Sequence, residues 1–278
     1  MKEVISLAEK YKDYFKIGAA INPHVLNTSR ELIKKHFNSI TAENEMKPIS
    51  LNREKGKFAF EVADAMINFA KENNMVVRGH TLVWHNQTPD HLFLDEDGSF
   101  VSKEVLEERL REYTRTVFEH FNKDVYCWDV VNEAVADKGD EILRKTKWLE
   151  IMGEDYLDIA FKIARELDPD VKLFYNDYDA VVPHKRDKIY TLLKGMLDRG
   201  VPVDGMGIQG HWNIRDFKLD DIKAAIDKYA SLGLEIHVTE LDVSVYGRDE
   251  LDKILATPTE EMLERQAEFY GDIFAIFR

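Results

Sequence analysis

Two glutamates sit where an apolar strand would not keep them without a task. The stretch Glu235-Ile-His-Val-Thr-Glu-Leu-Asp-Val-Ser244 is apolar and β-branched around Glu240 and Asp242. It reads as a short buried strand. The stretch Val125-Tyr-Cys-Trp-Asp-Val-Val-Asn-Glu133 has the same character and ends in Asn132 and Glu133. A carboxylate stripped of its water is costly, so each needs partners or a function. The two glutamates are 107 positions apart (240 less 133), which points to one site assembled from distant parts of the chain. Paired carboxylates on opposite walls of a cleft are what cleavage of a glycosidic bond requires.

The elements that must carry them follow an alternation. Short apolar runs recur at 15–21, 39–45, 76–84, 125–133, 172–179, 205–212 and 235–243, with helical patterns between them. Leu106, Leu110, Tyr113, Val117 and Phe121 step by three or four residues, as do Ile222, Ile226 and Tyr229, and Phe269, Ile273 and Phe277. Each set makes one apolar helix stripe. Helix stops fall at Asp168-Pro169, Arg199-Gly200 and Leu232-Gly233. Seven strand-then-helix units predict a parallel sheet covered by helices. A doubly wound sheet would carry a Gly-rich phosphate turn after an early strand, whereas Asn22-Pro23-His24 stands there. The expected α/β architecture is therefore a (β/α)8 TIM barrel.

The polar residues gather at strand exits, the catalytic face of such a barrel. Glu43, Asn44 and Glu45 follow the second strand, and His80 and Trp84 lie along the third. Asn132 and Glu133 end the fourth; Asn176, Asp177 and Tyr178 lie on the fifth, Gln209 and His211 on the sixth, Glu240 on the seventh. No eighth strand precedes Arg278. The eighth strand and helix are thus expected to be missing, leaving two sheet edges unpaired unless another segment fills the gap.

Composition sets the outer bounds. The 278 residues show no linker, repeat or low-complexity segment, so 1–278 is expected to be a single catalytic barrel domain. No apolar run approaches the roughly 20 residues that cross a bilayer. The net charge of −14 argues against a nucleic-acid partner. A charged fraction of 32% suits either a heat-tolerant protein or ordinary solvated helix faces. The amphipathic, charged start is not a signal peptide, and the lone Cys127 permits no intrachain disulfide. A cytoplasmic location is expected, the alternative being secretion with the leader absent. Nucleotide, flavin and metal patterns are lacking, and His80 and His85 are five apart rather than at the i, i+4 spacing of a helical zinc pair, so no cofactor is expected.

With these residues in place, the sequence resembles the endo-β-1,4-xylanases of glycoside hydrolase family 10, from about Lys16 onward. The resemblance rests on Thr41-Ala-Glu-Asn-Glu-Met-Lys47, Arg78-Gly-His-Thr-Leu-Val-Trp-His85, Trp128-Asp-Val-Val-Asn-Glu133, Gly207-Ile-Gln-Gly-His211 and Val238-Thr-Glu-Leu-Asp242. It implies Glu133 as general acid/base and Glu240 as nucleophile, with retention of configuration. The chemistry agrees, because the acid must hold its proton near neutral pH and a second carboxylate facing it in a dry site favours that. It implies that Glu43, Asn44 and Lys47 grip donor-side sugar hydroxyls, and that His80, Trp84 and Gln87 form floor and wall where cleavage occurs. Asn132 would hold the sugar 2-hydroxyl, Tyr178 would be a leaving-side platform, and Gln209 would bond near Glu240. His211 and His237 both lie where an imidazole could orient Glu240, and the resemblance favours His211. Asp242 and His237 are expected to support the site from behind.

The family also carries two tryptophans in the loop after its eighth strand. Here the tryptophans are at 84, 128, 148 and 212, so part of the donor wall is expected to be lacking. Xylan or a xylo-oligosaccharide is the expected partner. The alternatives are another β-1,4-glycanase of this barrel type, acting on glucan or mannan, and a non-catalytic carbohydrate-binding or incomplete barrel.

Overall fold

The computed structural model describes residues 4–253 and 257–278. Its centre is a seven-stranded parallel sheet. In chain order the strands are β1 (Gly18–Ile21), β2 (Ser39–Ala42), β3 (Val76–Trp84), β4 (Val125–Asn132), β5 (Lys172–Asp177), β6 (Gly205–Ile208) and β8 (Glu235–Val238), paired in that sequence. Between the last two lies β7 (His211–Asn213), which pairs in parallel with β9 (Asp242–Ser244) as a separate ribbon. The sheet curls as in a (β/α)8 barrel, with seven of its strands present among the described residues. Among those residues no strand pairs the outer edge of β1 or of β8.

Strands buried on both faces explain why β4 is apolar almost throughout and why β3 is apolar at both ends. Where a charge interrupts the run it is neutralised inside the sheet: the guanidinium of Arg78 on β3 forks onto both carboxylate oxygens of Asp129 on β4. The helices turn one stripe inward. Along Lys103–Phe121 the stripe Leu106, Leu110, Tyr113, Val117 and Phe121 is buried, and in Leu219–Ala230 it is Ile222 and Tyr229. Two of the predicted stops carry glycines in the left-handed region, Gly200 (φ 73°) and Gly233 (φ 79°). The last helix, Glu260–Ile276, is capped by the Thr259 side chain. It lays Phe274 against Tyr11 and Phe15 at centroid distances of 5.0 and 5.9 Å, joining the two ends of the described chain.

Candidate active site

Glu133 sits one residue beyond the end of β4 and Glu240 two beyond the end of β8, held there by the continuing ladder. Glu133 N–H donates to the Asn176 carbonyl (2.9 Å) and Glu240 N–H to the Gln209 carbonyl (2.8 Å). Three amides link their side chains. Asn176 Nδ2 donates to Glu240 Oε1 (2.8 Å) and to Asn132 Oδ1 (3.0 Å). Gln209 Nε2 donates to Asn132 Oδ1 (3.2 Å) and to Glu133 Oε1 (3.0 Å). Asn132, Asn176 and Gln209 are all buried, so this bridge is fixed, and it brings two strand exits from distant parts of the chain to one rim.

Three neighbours set the charge of Glu240: His211, His80 and the Asn176 amide. His211 Nε2 lies 3.2 Å from Oε2, while His211 Nδ1 lies 2.6 Å from Asp242 Oδ2, so the imidazole stands between two carboxylates. Those two hydrogen bonds raise His211 to about 10, which makes it a cation at neutral pH. Burial pushes Glu240 up, but the His211 bond, the nearby His80 and the Asn176 amide outweigh it and hold Glu240 below the usual carboxylate range. His80 is in turn oriented by Asp129, whose Oδ2 is 2.8 Å from His80 Nδ1. Burial alone would neutralise Asp129, yet Arg78 and His80 keep it ionised. The Glu240 carboxylate only accepts, so it takes the Nδ2 end of the Asn176 amide, and Thr239 Oγ1 donates to the Oδ1 end (2.7 Å).

Glu133 is pinned from both sides. Trp84 Nε1 donates to Oε2 (2.8 Å) opposite the Gln209 contact. Its backbone lies in the left-handed region (φ 58°), a costly conformation that the surroundings must over-determine. They do so through Tyr175 on β5, whose hydroxyl accepts from Ala134 N (3.1 Å) and Val135 N (3.2 Å) and donates to Asp177 Oδ2 (2.5 Å). Burial raises Asp177 to about 6 against the pull of Lys185. Arg144 Nε donates to the Glu133 carbonyl (3.2 Å), and its other end reaches Tyr178 Oη (2.7 Å). Tyr178 donates to Asp137 (2.7 Å), placing its ring on the Glu133 side of the rim.

The second strand exit supplies a polar cluster. Glu43 accepts from Asn22 Nδ2 (2.6 Å). Asn44 Oδ1 accepts from Lys47 Nζ (3.1 Å) and, more loosely, from Gln87 Nε2 (3.4 Å). Lys47 Nζ lies 5.0 Å over the Trp84 ring. Burial lowers Lys47 despite four surrounding glutamates, 43, 45, 133 and 240. The cluster therefore adjoins both rim carboxylates.

One expected residue lies elsewhere. His237 is on β8 below the rim, stacked on Phe174 at 4.2 Å, with Nε2 3.0 Å from Glu235 Oε1 and Nδ1 accepting from Arg78 Nε at 3.4 Å. Its contacts are with Glu235, Arg78 and Phe174, so it stands apart from Glu240. Asp242 instead acts on Glu240 through His211. Sequence reasoning put Asn176 on the catalytic face without giving it a role, and passed over Asp129 and Arg78 as members of the site. The signal was a charge or amide inside an apolar strand, which demands a buried partner. Asp137, Arg144 and Lys185 lie in loops and a helix start, where nothing in the pattern marks them. Among the described residues, no group of three His, Cys, Asp or Glu side chains could hold a metal ion.

This geometry matches known proteins closely. A family profile described as "Glycosyl hydrolase family 10" matches residues 6–278. Endo-1,4-beta-xylanase A of Caldicellulosiruptor saccharolyticus is 52% identical over 276 residues, covering 99% of this chain and 81% of the relative. The crystal structure of xylanase XynB from Paenibacillus barcinonensis, complexed with a conduramine derivative, superposes with a TM-score of 0.96 at 48% identity, covering 100% of this chain and 84% of that one. A mutant structure in complex with xylotriose superposes with a TM-score of 0.95, also at 48% identity, covering 99% of this chain and 84% of that one.

Proposed function

Because the chain belongs to glycosyl hydrolase family 10, we propose that its linked carboxylates cleave internal β-1,4-xylosidic bonds of xylan and xylo-oligosaccharides. It is an endo-1,4-β-xylanase that works with retention. Glu240 attacks the anomeric carbon while Glu133 gives its proton to the departing glycosidic oxygen, forming a glycosyl-enzyme. Water then enters the vacated side, Glu133 takes its proton, and the sugar–Glu240 bond breaks. In this reading the cationic His211 and the Asn176 amide keep Glu240 ionised for attack, and Trp84 and Gln209 aim Glu133. Asn132 holds the 2-hydroxyl, Lys47, Glu43 and Asn44 hold donor-side hydroxyls, and Tyr178 receives the leaving sugar.

The observation that supports this reading most is the amide bridge from Glu240 through Asn176, Asn132 and Gln209 to Glu133. It ties both carboxylates to one rim, where retention requires them about 5–5.5 Å apart. Following the anomer released from a xylo-oligosaccharide by proton NMR tests it. The β-anomer should appear first and mutarotate afterwards. First appearance of the α-anomer would reject double displacement, and faster cleavage of cello-oligosaccharides would reassign the substrate.

A further inference from the structure

Beneath the Tyr178 ring lies a cation that the reaction as described does not use. Lys185 starts the helix Pro183–Asp198, and its side chain is only 4% exposed. A buried ammonium is tolerated only when its donors are satisfied. Its Nζ is 2.9 Å from Asp177 Oδ1, 2.9 Å from Asp137 Oδ1 and 3.4 Å from the centroid of the Tyr178 ring. The ammonium is thus held by a hydrogen bond to Asp137 in the loop after β4, an ion pair with Asp177 on β5 and one aromatic face.

The consequence is specific to Tyr178. Its hydroxyl donates to Asp137 and accepts from Arg144, and the ammonium covers one face. Only the opposite face and the ring edge are left for a sugar. An ion pair with Asp177 alone would neutralise the lysine's charge. The reach to Asp137 and to the ring is what the surplus contacts achieve. Asp137 keeps its charge through the same group: burial would raise it, but Tyr178, Lys185 and Arg144 hold it at about 2.

We propose that Lys185 is a positioning residue for the leaving-group side: it fixes the Tyr178 ring and so sets affinity for the sugars beyond the scissile bond. This rests on the xylanase reading above. The test compares two substrates. In β-xylobiosyl fluoride the leaving group is a single atom and nothing occupies the Tyr178 side, whereas xylohexaose extends across it. Lys185→Met is expected to lower kcat/KM on xylohexaose about tenfold, chiefly through KM, because the platform loses its fixed orientation. The same variant should change kcat/KM on the fluoride by less than about twofold, since only donor-side binding and Glu240 are engaged.

Removing one partner of a buried pair leaves an uncompensated charge, so Lys185→Arg, which keeps a cation beside Asp177 and Asp137, is measured alongside and should recover most of the loss on xylohexaose. Thermal melting establishes that each is folded, and the ratio between the two substrates is the readout. An equal loss on both substrates, or an unchanged value on xylohexaose in folded Lys185→Met, overturns the proposal. Hydrolysis of neither substrate by the unaltered chain removes the xylanase reading itself, and the inference with it.

Discussion

Glu133 and Glu240 are both glutamates at strand exits, yet their surroundings prepare them for different work. Glu240 is held as an anion by a cationic imidazole and an amide. Glu133 accepts from an indole and an amide, both neutral donors. This asymmetry predicts different mutant phenotypes. Glu133→Gln should slow hydrolysis of xylan by about 10²–10⁴-fold, the usual worth of a positioned acid/base. With a dinitrophenyl xylobioside the leaving group needs no proton, so the first step should stay fast and the second become slow. The glycosyl-enzyme then accumulates, visible as a burst of dinitrophenolate in stopped flow. Glu240→Gln should give neither burst nor turnover. Equal slowing with both leaving groups in Glu133→Gln would reverse the assignment.

At the scale of the elements, much of the barrel was legible because a parallel strand buried on both faces leaves an unbroken apolar run. The runs at 76–84 and 125–133 mark β3 and β4 to within a residue. The runs at 205–212 and 235–243 each conceal two strands. Gly210, in the left-handed region (φ 80°), turns the chain out of the sheet after β6, and the apolar pattern continues across the break. That turn decides the histidines. His211 moves to the outer ribbon beside Asp242, while His237 stays inside the sheet below the rim. Hydrophobic pattern alone cannot separate two histidines on adjacent apolar runs, since the difference is a backbone angle. Asn176 was placed at a strand exit but given no role for a related reason: its role lies in what its neighbours on β4 and after β8 present to it. Gly207 shows how closely these strands are fitted, because a Cβ there would collide with the Asn176 amide oxygen. Gly207→Ala should therefore cost about 1–3 kcal/mol of stability, as overpacking does. It should also lower kcat on xylan at least about tenfold by displacing the amide that holds Glu240. Full kcat in a destabilised Gly207→Ala protein would show that Glu240 does not depend on that amide.

Over the whole molecule, the rim concentrates titrating groups whose shifts make stability depend on pH. His211 rises from an ordinary 6.5 to about 10 on folding. A base whose pKa is raised by folding contributes stability that is complete below 6.5 and is lost as the pH climbs through about 10. Asp177, raised from 3.8 to about 6, works in the same direction at lower pH: the fold favours its protonated form, so its contribution declines as the pH passes from 3.8 through about 6. Asp137 has the opposite sign. Depressed from 3.8 to about 2, it adds stability above 3.8 that disappears as the pH falls through about 2. The His211 side chain is 46% exposed, so solvent screens its two carboxylate contacts and the effect is smaller than its shift alone suggests. The melting temperature of the unaltered protein should exceed that of His211→Gln most between about pH 5 and 6.5, and the gap should shrink steadily toward pH 10. Calorimetric melts of both proteins across that range check the prediction. A gap of constant size would mean that the imidazole between Glu240 and Asp242 carries no net charge in the folded state, and that Glu240 depends on His80 and the Asn176 amide to remain ionised.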